Sequence, residues 1–279
     1  KGYILKLSLI GLAIINFDAT ADDLKLTSPE KMGYDSTKLS EMHEGFEALY
    51  NDGLIPNYVI AVAREGNIFY SALNGDSRLG SGKKVDLDTQ YPLASMTKPF
   101  VSTAIMKLIE DGELSLESEL SEFLPQFSDM FVAPGGSLEQ LEEARRPITI
   151  LDLLTHTSGL TYGEYVTGVG DVAKLYDEFN IIDRCLSGEE NMEILSQIPL
   201  VAQPGTEWNY SVATDVLGAV IEVVTGKTMG EYLDEVIFKP LGMEAGFTLS
   251  QETLDNDWAM IYGLPGANNP AIGKIEGSE

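Results

Sequence analysis

The segment at residues 91–112 constrains the fold and the chemistry of this chain more than any other. It reads YPLASMTKPFVSTAIMKLIEDG, with Ser95 and Lys98 where an amphipathic helix begins. Pro99 suits a first helical turn, and Gly112 lies where the helix is expected to end. Because Ser95 and Lys98 are three positions apart, a helix places their side chains on one face. This arrangement suits a serine nucleophile beside an amine that can take its proton.

Two interpretations of this spacing stay open at the level of the residues alone. A solvated lysine on the helix surface satisfies the same pattern, which occurs often by chance. In the catalytic interpretation Tyr210, just before another helix start, is the third member. A phenol with a pKa near 10 is a poor base at neutral pH, so Tyr210 would need a cation such as Lys98 beside it. Desolvation would in turn lower the pKa of Lys98. The alternative for Tyr210 is a half-buried aromatic side chain with a bonded hydroxyl.

A histidine-based triad is the competing catalytic hypothesis, and the sequence leaves little room for it. The chain has two histidines, His43 and His156, the first on a predicted helix and the second at a helix end. No serine has glycine at both −2 and +2, so the nucleophile elbow of α/β-hydrolases is absent. With no HExxH motif and no cysteine pair, we expect neither a metal site nor a cofactor.

The charge balance excludes one broad class of partner. There are 44 acidic against 18 basic residues, a formal net charge of −26. Binding to phosphate backbones needs a basic surface, so nucleic acid is excluded as a partner and an anionic membrane surface is disfavoured. The hydrophobic content of 44% is typical of a globular protein. Cys185 is the single cysteine, which precludes an intrachain disulfide. Nothing in the sequence indicates an oligomeric state.

The first 21 residues have the composition of a secretory signal peptide. Lys1 and Lys6 precede an apolar run at residues 7–15, and Ala19-Thr20-Ala21 forms an A-x-A cleavage site. We therefore expect residues 1–21 to be removed and the protein to be periplasmic or secreted. The alternative is a buried N-terminal helix. No later segment is long and apolar enough to suggest a membrane span.

The chain after this segment begins as helix followed by hairpin. Residues 35–52 predict a helix with Leu39, Met42, Phe46 and Leu49 on its inner face. Residues 58–63 predict a strand buried on both faces, which a turn at 65–67 connects to a second strand at 68–72. From residue 93 to about 249 the pattern is mostly helical.

Three later helices have readable N-terminal caps. Thr149 with Asp152 and Thr228 with Glu231 have the spacing of capping boxes. Ser211 is the predicted cap of a helix that Gly226 ends.

Four motifs, taken in order, carry a family resemblance. They are Ser95-Met96-Thr97-Lys98, LLTHTSGL at 153–160, PGTEWNYS at 204–211 and FKPLGM at 238–243. Together they strongly resemble the serine β-lactamase-like superfamily, which includes class C β-lactamases, D-alanyl-D-alanine peptidases and the esterases of family VIII. The similarity runs from about residue 31 to residue 262. Each motif is weak alone, but the ordered set is specific.

The resemblance implies a fold and a mechanism. The fold is α/β (α+β), with an antiparallel sheet flanked by helices plus a helical domain and the active site between them. The expected domain covers residues 22–279, with an α/β part at about 31–92 and a largely helical part at about 93–250. Ser95 would form an acyl-enzyme, Lys98 and Tyr210 would move its proton, and the Ser95 amide would be one oxyanion-hole donor.

Within the superfamily, the SMTK form and the HTSGL segment look most like the esterases. Val212 stands where lactamases usually have an asparagine that contacts the acyl side chain, which favours short-chain carboxylic esters. The alternative is a β-lactamase or a D-alanyl-D-alanine carboxypeptidase, so the expected partner is a small-molecule ester or a β-lactam-like substrate. Tyr162, Tyr165 and Trp208 either line the acyl pocket or are packing residues.

The third motif of the superfamily, on a late strand, is expected beyond residue 262 and is not found there. Lys227-Thr228-Met229 resembles part of it but opens a helix and lacks the glycine. The resemblance therefore predicts that the last strands of the fold are missing. That strand would supply the second oxyanion donor, whose removal typically reduces the rate by about 10²–10³. An inactive penicillin-binding-like module is accordingly a further alternative.

Overall fold

A computed structural model describes residues 25–86, 88–164, 166–182, 187–247 and 259. The predicted signal peptide at 1–21, Tyr165, Cys185 and the region around residue 262 lie outside the described residues. Within the described part of the chain, no helix has the length and hydropathy needed to cross a bilayer.

The described chain begins with a small sheet and continues as a helical body. The strands are β1 (Lys25–Leu26), β2 (Asn57–Arg64), β3 (Asn67–Gly75), β4 (Phe131–Val132) and β5 (Glu142–Glu143). The α-helices are α1 (Ser36–Asn51), α2 (Lys98–Glu110), α3 (Leu120–Phe123), α4 (Ile150–Leu154), α5 (Gly170–Glu178), α6 (Gly188–Leu195), α7 (Ala213–Thr225) and α8 (Met229–Leu233). Short 3-10 turns include Ala94–Thr97 at the start of α2, and a π-helical turn, Asp234–Phe238, follows α8.

The predicted hairpin forms the centre of the sheet. β2 and β3 pair antiparallel, with Asn57 opposite Gly75 and Arg64 opposite Asn67. Glu65 and Gly66 turn the chain with φ of 51° and 71°, the sign that a tight hairpin turn requires. The expected antiparallel sheet is antiparallel only in the hairpin: β1 adds in parallel to β3, giving the order β1-β3-β2, so the sheet of the described residues is mixed.

The expectation that β2 is buried on both faces is wrong. Tyr58 is buried, whereas Ala61 and Ala63 are exposed. The reason is coverage: α1 packs on one face, where the Phe46 and Tyr58 rings lie 5.5 Å apart. Among the described residues, no second layer covers the other face. Apolar composition alone does not distinguish a strand that is covered twice from one that is covered once.

The helix α1 forms where it was predicted, but its inner face is shorter. Asp35 caps it, since its Oδ1 accepts from the Thr37 amide at 2.8 Å. Contacts to the sheet come from the middle of the helix, including the His43 Nδ1 to Tyr70 hydroxyl contact of 3.1 Å. Leu49, predicted to face inward, is 40% exposed because it lies one turn beyond these contacts.

The core lies between α2 and the later helices. The inward positions predicted for α2 are all buried: Val101, Ala104, Ile105 and Leu108. They belong to one apolar cluster with the buried side of α7, namely Val216, Leu217, Val220 and Ile221. α2 is thereby fixed against α7, and its first turn is held in one position.

Two predicted capping boxes are confirmed, and one cap differs by a residue. Thr149 with Asp152 begins α4, and Thr228 with Glu231 begins α8. α7 starts at Ala213 with Val212 in the cap position, while the Ser211 Oγ accepts from the Ala213 amide at 3.3 Å.

Asp152 is the buried anchor of the loop before α4, and we expect Asp152→Ala to destabilise the fold. Its carboxylate accepts from Arg146 at 2.6 and 2.9 Å and from the Thr149 amide at 2.9 Å, and it is 3% exposed. Burial alone would raise the pKa of Asp152. The hydrogen bonds from Arg146 and Thr149 lower this pKa by more than burial raises it, so it lies below its usual value. Loss of a charged hydrogen-bonding group and a cap is expected to reduce the free energy of unfolding by about 2–4 kcal/mol.

Urea unfolding of Asp152→Ala beside Asp171→Ala measures this effect. Asp171 pairs with Lys174 on the surface, so its loss is expected to lower the free energy of unfolding much less than the loss of Asp152. The contribution of Asp152 is complete above its unfolded pKa of about 3.9 and falls as the pH drops through its lower folded pKa. Equal losses in the two variants at pH 7 would contradict this role.

Candidate active site

Ser95 lies in the 3-10 turn Ala94–Thr97, which runs directly into α2. Ala94, just before it, has φ 45°, a left-handed conformation that is unfavourable for a residue with a Cβ. As the second residue of a helical turn, Ser95 has an amide with no intrahelical acceptor. The Ser95 hydroxyl is therefore presented on a rigid helix start beside an amide that can donate to an oxyanion.

Tyr210 reaches the same point from a segment far along the chain. Gly205, at φ 81°, turns that segment and donates to the Thr157 carbonyl at 2.7 Å. The Asn209 amide then donates to the His156 carbonyl at 2.8 Å. The Tyr210 hydroxyl consequently donates to the Ser95 Oγ at 2.8 Å. Both the PG of the PGTEWNYS motif and the HTSG turn of residues 153–160 serve to place this phenol.

Lys98 completes the group. Its Nζ lies 4.7 Å from the centre of the Tyr210 ring and donates to the Tyr162 hydroxyl at 3.4 Å. Burial raises the pKa of Tyr210, but the hydrogen bonds and charge of Lys98, together with Ser95, outweigh it and lower the pKa overall. The structure thus brings Ser95, Lys98 and Tyr210 together as the sequence predicted.

The predicted direction of the Lys98 shift is wrong. Burial does lower the pKa of Lys98 and is the largest single influence. Interactions with the hydroxyls of Tyr210 and Tyr162 favour the ammonium form more strongly, so the net pKa is raised. Desolvation is the effect that the sequence predicts for Lys98, whereas the approach of the Tyr162 hydroxyl is a tertiary contact across 64 positions. In this geometry the ammonium form of Lys98 is close enough to favour a phenolate at Tyr210.

A half-open cavity of about 610 Å³ surrounds these three side chains. Tyr162 and Val212, both predicted to contact substrate, line it. Trp208 does not: it is 66% exposed, because its ring stacks outward on Tyr210 with centroids 6.3 Å apart. Tyr165, the remaining prediction, lies outside the described residues.

The histidines hold other positions. His43 bonds Tyr70 on the sheet, and His156 Nδ1 lies 3.2 Å from the Ser211 Oγ. The His156 ring packs at 4.9 Å against Tyr210, so His156 supports the phenol from behind. Its place as the first residue of the HTSG turn was the available sequence signal, but the packing against Tyr210 is a tertiary contact.

Sequence reasoning missed Asp215 and Asn191, which also line the cavity. Asp215 is solvent-accessible from the cavity. Desolvation by the surrounding protein nevertheless raises the pKa of Asp215, while the charge of Lys98 opposes that rise. In sequence it reads as an ordinary acidic residue in the first turn of α7. The buried Asn191 Oδ1 has no hydrogen-bond partner among the described residues. Asp215 therefore offers an acceptor to a ligand in the cavity, whereas the Asn191 Oδ1 is shielded from it.

His156 predicts an acid-dependent loss of stability. Burial, and then the charge of Lys98, lower the pKa of His156. The folded protein thus favours the neutral form of His156. The resulting contribution to the free energy of unfolding is fully present above the unfolded pKa of about 6.5 and is lost as the pH falls below that value and through the lower folded pKa. In His156→Asn, which tolerates the φ of 56°, we expect the melting temperature to fall less between pH 7.5 and pH 5. The measurement is thermal unfolding of wild type and His156→Asn as a function of pH, with His43→Asn as the control. If the melting temperatures of wild type and His156→Asn fell equally between pH 7.5 and pH 5, this role of His156 would be contradicted.

The family described as Beta-lactamase matches residues 43–275. The chain belongs to the β-lactamase family. Esterase EstB of Burkholderia gladioli is 36% identical over 212 residues, 74% of this chain and 50% of that protein. Lovastatin esterase of Penicillium rubens is 33% identical over 213 residues, 72% of this chain and 51% of that protein.

Solved structures of similar proteins agree with this membership of the β-lactamase family. EstCE1, described as a hydrolase with promiscuous acyltransferase activity, superposes with a TM-score of 0.68 at 32% identity and covers 81% of this chain and 57% of its own. The simvastatin synthase LovD of Aspergillus terreus superposes with a TM-score of 0.63 at 29% identity, and the match covers 78% of this chain and 55% of LovD. The β-lactamase-like α/β fold is therefore shown. The chain spans about half the length of the curated relatives it matches.

Within the described residues, no group of three or more histidine, cysteine, aspartate or glutamate side chains is arranged to hold a metal ion.

Proposed function

We propose that this chain carries the catalytic centre of a serine hydrolase that cleaves carboxylic esters of small alcohols and short-chain acids. The observation that carries the proposal is the 2.8 Å hydrogen bond between Tyr210 and Ser95, beside the ammonium of Lys98. Esterases among the similar proteins support it.

The reaction would proceed by acyl transfer to Ser95. Tyr210, as phenolate stabilised by Lys98, takes the Ser95 proton while Oγ forms a bond to the ester carbonyl carbon. The proton then passes to the leaving alcohol as its bond to the carbonyl breaks. A water molecule attacks the acyl-enzyme by the same proton route, releasing the acid and restoring Ser95. The Ser95 amide stabilises the oxyanion in both steps.

Hydrolysis of β-lactams or of D-alanyl peptides is the second candidate. It is favoured by putative D-alanyl-D-alanine carboxypeptidases of Salmonella, 26% identical over 254 residues. Val212 lines the cavity where an amide would bind the acyl side chain of such substrates, which disfavours them. A binding module without turnover is the remaining possibility.

One set of assays separates these three. The 279-residue chain is given p-nitrophenyl butyrate, a chromogenic cephalosporin and a fluorescent penicillin. We expect ester turnover with the highest kcat/KM and a fluorophosphonate adduct on the peptide that contains Ser95. Faster cephalosporin turnover would favour the second candidate, and stable penicillin labelling without ester turnover would favour the binding module.

Export, which residues 1–21 predict, remains a proposal; N-terminal sequencing of the mature protein tests it.

A further inference from the structure

The cavity extends past the catalytic group along one face of α7. Asp215, Gly218, Ala219 and Glu222 all line it, and their spacing of three and four residues places them on one side of the helix. At a rise of about 1.5 Å per residue, this face is about 10 Å long from Asp215 to Glu222. We name this part of the cavity the acyl channel.

The acyl channel leads away from Ser95. Asp215 is at the catalytic end, since its charge acts on both Lys98 and Tyr210. Glu222 is at the far end, where its carboxylate accepts from the Met229 amide at 3.0 Å. The two ends therefore differ: one is beside the reacting atoms, and the other is a fixed charge at the start of α8.

The walls of the acyl channel are mainly apolar. Ala219 is small and half-buried, so it leaves space over the surface of α7. Gly218 is covered by the Met229 side chain, since a Cβ at Gly218 would lie 2.8 Å from the Met229 Sδ. The apolar side chains around that space are Val101, Val166, Ile181, Met192, Val212, Met229 and Phe247. Such a lining favours a hydrocarbon chain over a polar group.

We propose that the acyl channel binds an extended hydrocarbon acyl chain of about six to eight carbons, the long end of the short-chain range. This proposal rests on the ester hydrolysis proposed above. An extended chain advances about 1.1–1.2 Å per backbone bond, so the seven C–C bonds of an octanoyl group cover about 8 Å, most of the distance from Asp215 to Glu222.

The acyl side of the ester fits this channel better than the alcohol side. The acyl group stays attached to Ser95 until water releases it, so an enclosing channel can stabilise it through both steps. The alcohol has to leave before water can attack. The negative charge of Glu222 at the far end also disfavours chains that end in a carboxylate, because like charges repel.

The test compares p-nitrophenyl acetate, butyrate, hexanoate and octanoate at concentrations below their aggregation. Burial of each additional methylene can raise kcat/KM by a factor of up to about four. Octanoate has four more methylenes than butyrate, so we expect its kcat/KM to be at least tenfold higher. In Ala219→Phe, whose ring fills the acyl channel, this ratio is expected to fall below about threefold. Ala219→Val, a smaller change, is expected to give an intermediate ratio.

The matched control is Val223→Phe, which adds the same ring on the same helix at a side chain that is 53% exposed. We expect it to keep the wild-type ratio. An octanoate-to-butyrate ratio of one or less in the wild type would overturn the proposal, as would equal ratios in Ala219→Phe and Val223→Phe. An increase in kcat/KM that depends on the length of the alcohol rather than on the length of the acid would also overturn the proposal.

A binding measurement separates failure of the acyl channel from failure of the catalytic proposal. Calorimetry with octanamide and butanamide, neutral ligands that need no turnover, is made on Ser95→Ala. At least tenfold tighter binding of octanamide, lost in the double variant with Ala219→Phe, supports the acyl channel even if no ester is hydrolysed. Equal binding of the two amides would overturn it. Turnover that survives in Ser95→Ala would instead overturn the proposed function.

Discussion

Ester hydrolysis is expected to fall by at least about 10⁴-fold in Ser95→Ala, the scale typical for removing the nucleophile of an acyl-transfer enzyme. The Ser95 hydroxyl is the one held by Tyr210 at 2.8 Å, at the start of α2 and within the cavity. Alanine removes the oxygen that forms the acyl bond and leaves the backbone unchanged. The measurement is kcat/KM for p-nitrophenyl butyrate, with thermal unfolding to confirm an intact fold.

Ser71→Ala, on the exposed side of β3, is the control for Ser95→Ala and is expected to retain wild-type turnover. If Ser95→Ala and wild type hydrolyse the ester equally well, Ser95 is not the nucleophile and the proposed mechanism fails. Loss of turnover together with loss of the fluorophosphonate adduct would identify Ser95 as the reacting group.

Tyr210→Phe is expected to lower kcat by about 10²–10⁴, the range for removing a general base. The ring remains packed against His156, with centroids 4.9 Å apart, so the fold and the cavity are expected to be preserved. The missing hydroxyl is the one that would take the Ser95 proton. Because Lys98 lowers the pKa of Tyr210, the wild-type rate should rise with pH to a plateau at a midpoint below the usual value of about 10.

Tyr162→Phe is the matched control for Tyr210→Phe. Both changes remove one phenolic hydroxyl that interacts with Lys98, but the Tyr162 hydroxyl contacts the Lys98 Nζ at 3.4 Å rather than Ser95. We expect a loss of less than about tenfold from Tyr162→Phe. If this loss matched or exceeded that of Tyr210→Phe, the base would be Tyr162, and the assignment of the two tyrosines would have to be reversed.

Local sequence signals predicted those features that depend on neighbouring residues. The helix after Ser95, the hairpin turn at Glu65 and Gly66, and two capping boxes all form as expected. Each results from contacts within a few residues, where periodicity, turn chemistry and caps act. The grouping of Ser95, Lys98 and Tyr210 was predicted from the resemblance rather than from spacing, since 115 positions separate Ser95 from Tyr210.

The burial of a strand face and the pKa of a buried group depend on residues that are distant in sequence, so only the tertiary structure decided them. β2 is covered by α1 on one face, so an apolar strand leaves Ala61 and Ala63 exposed. The pKa of Lys98 rises rather than falls, because Tyr162 approaches it from a distant loop. Coverage and electrostatic partners are set by long-range packing, which periodicity does not contain.

The sequence by itself determined the family, the nucleophile candidate and the capping boxes at which α4 and α8 begin. Those are properties of short motifs, each read within about one helical turn or one hairpin. Only the tertiary structure decided which side chains share the cavity. Trp208 stacks outside it, whereas Asp215 and Ala219 on α7 line it. The physical reason is that the core between α2 and α7 fixes which face of α7 meets Ser95, and packing of two helices depends on both surfaces at once.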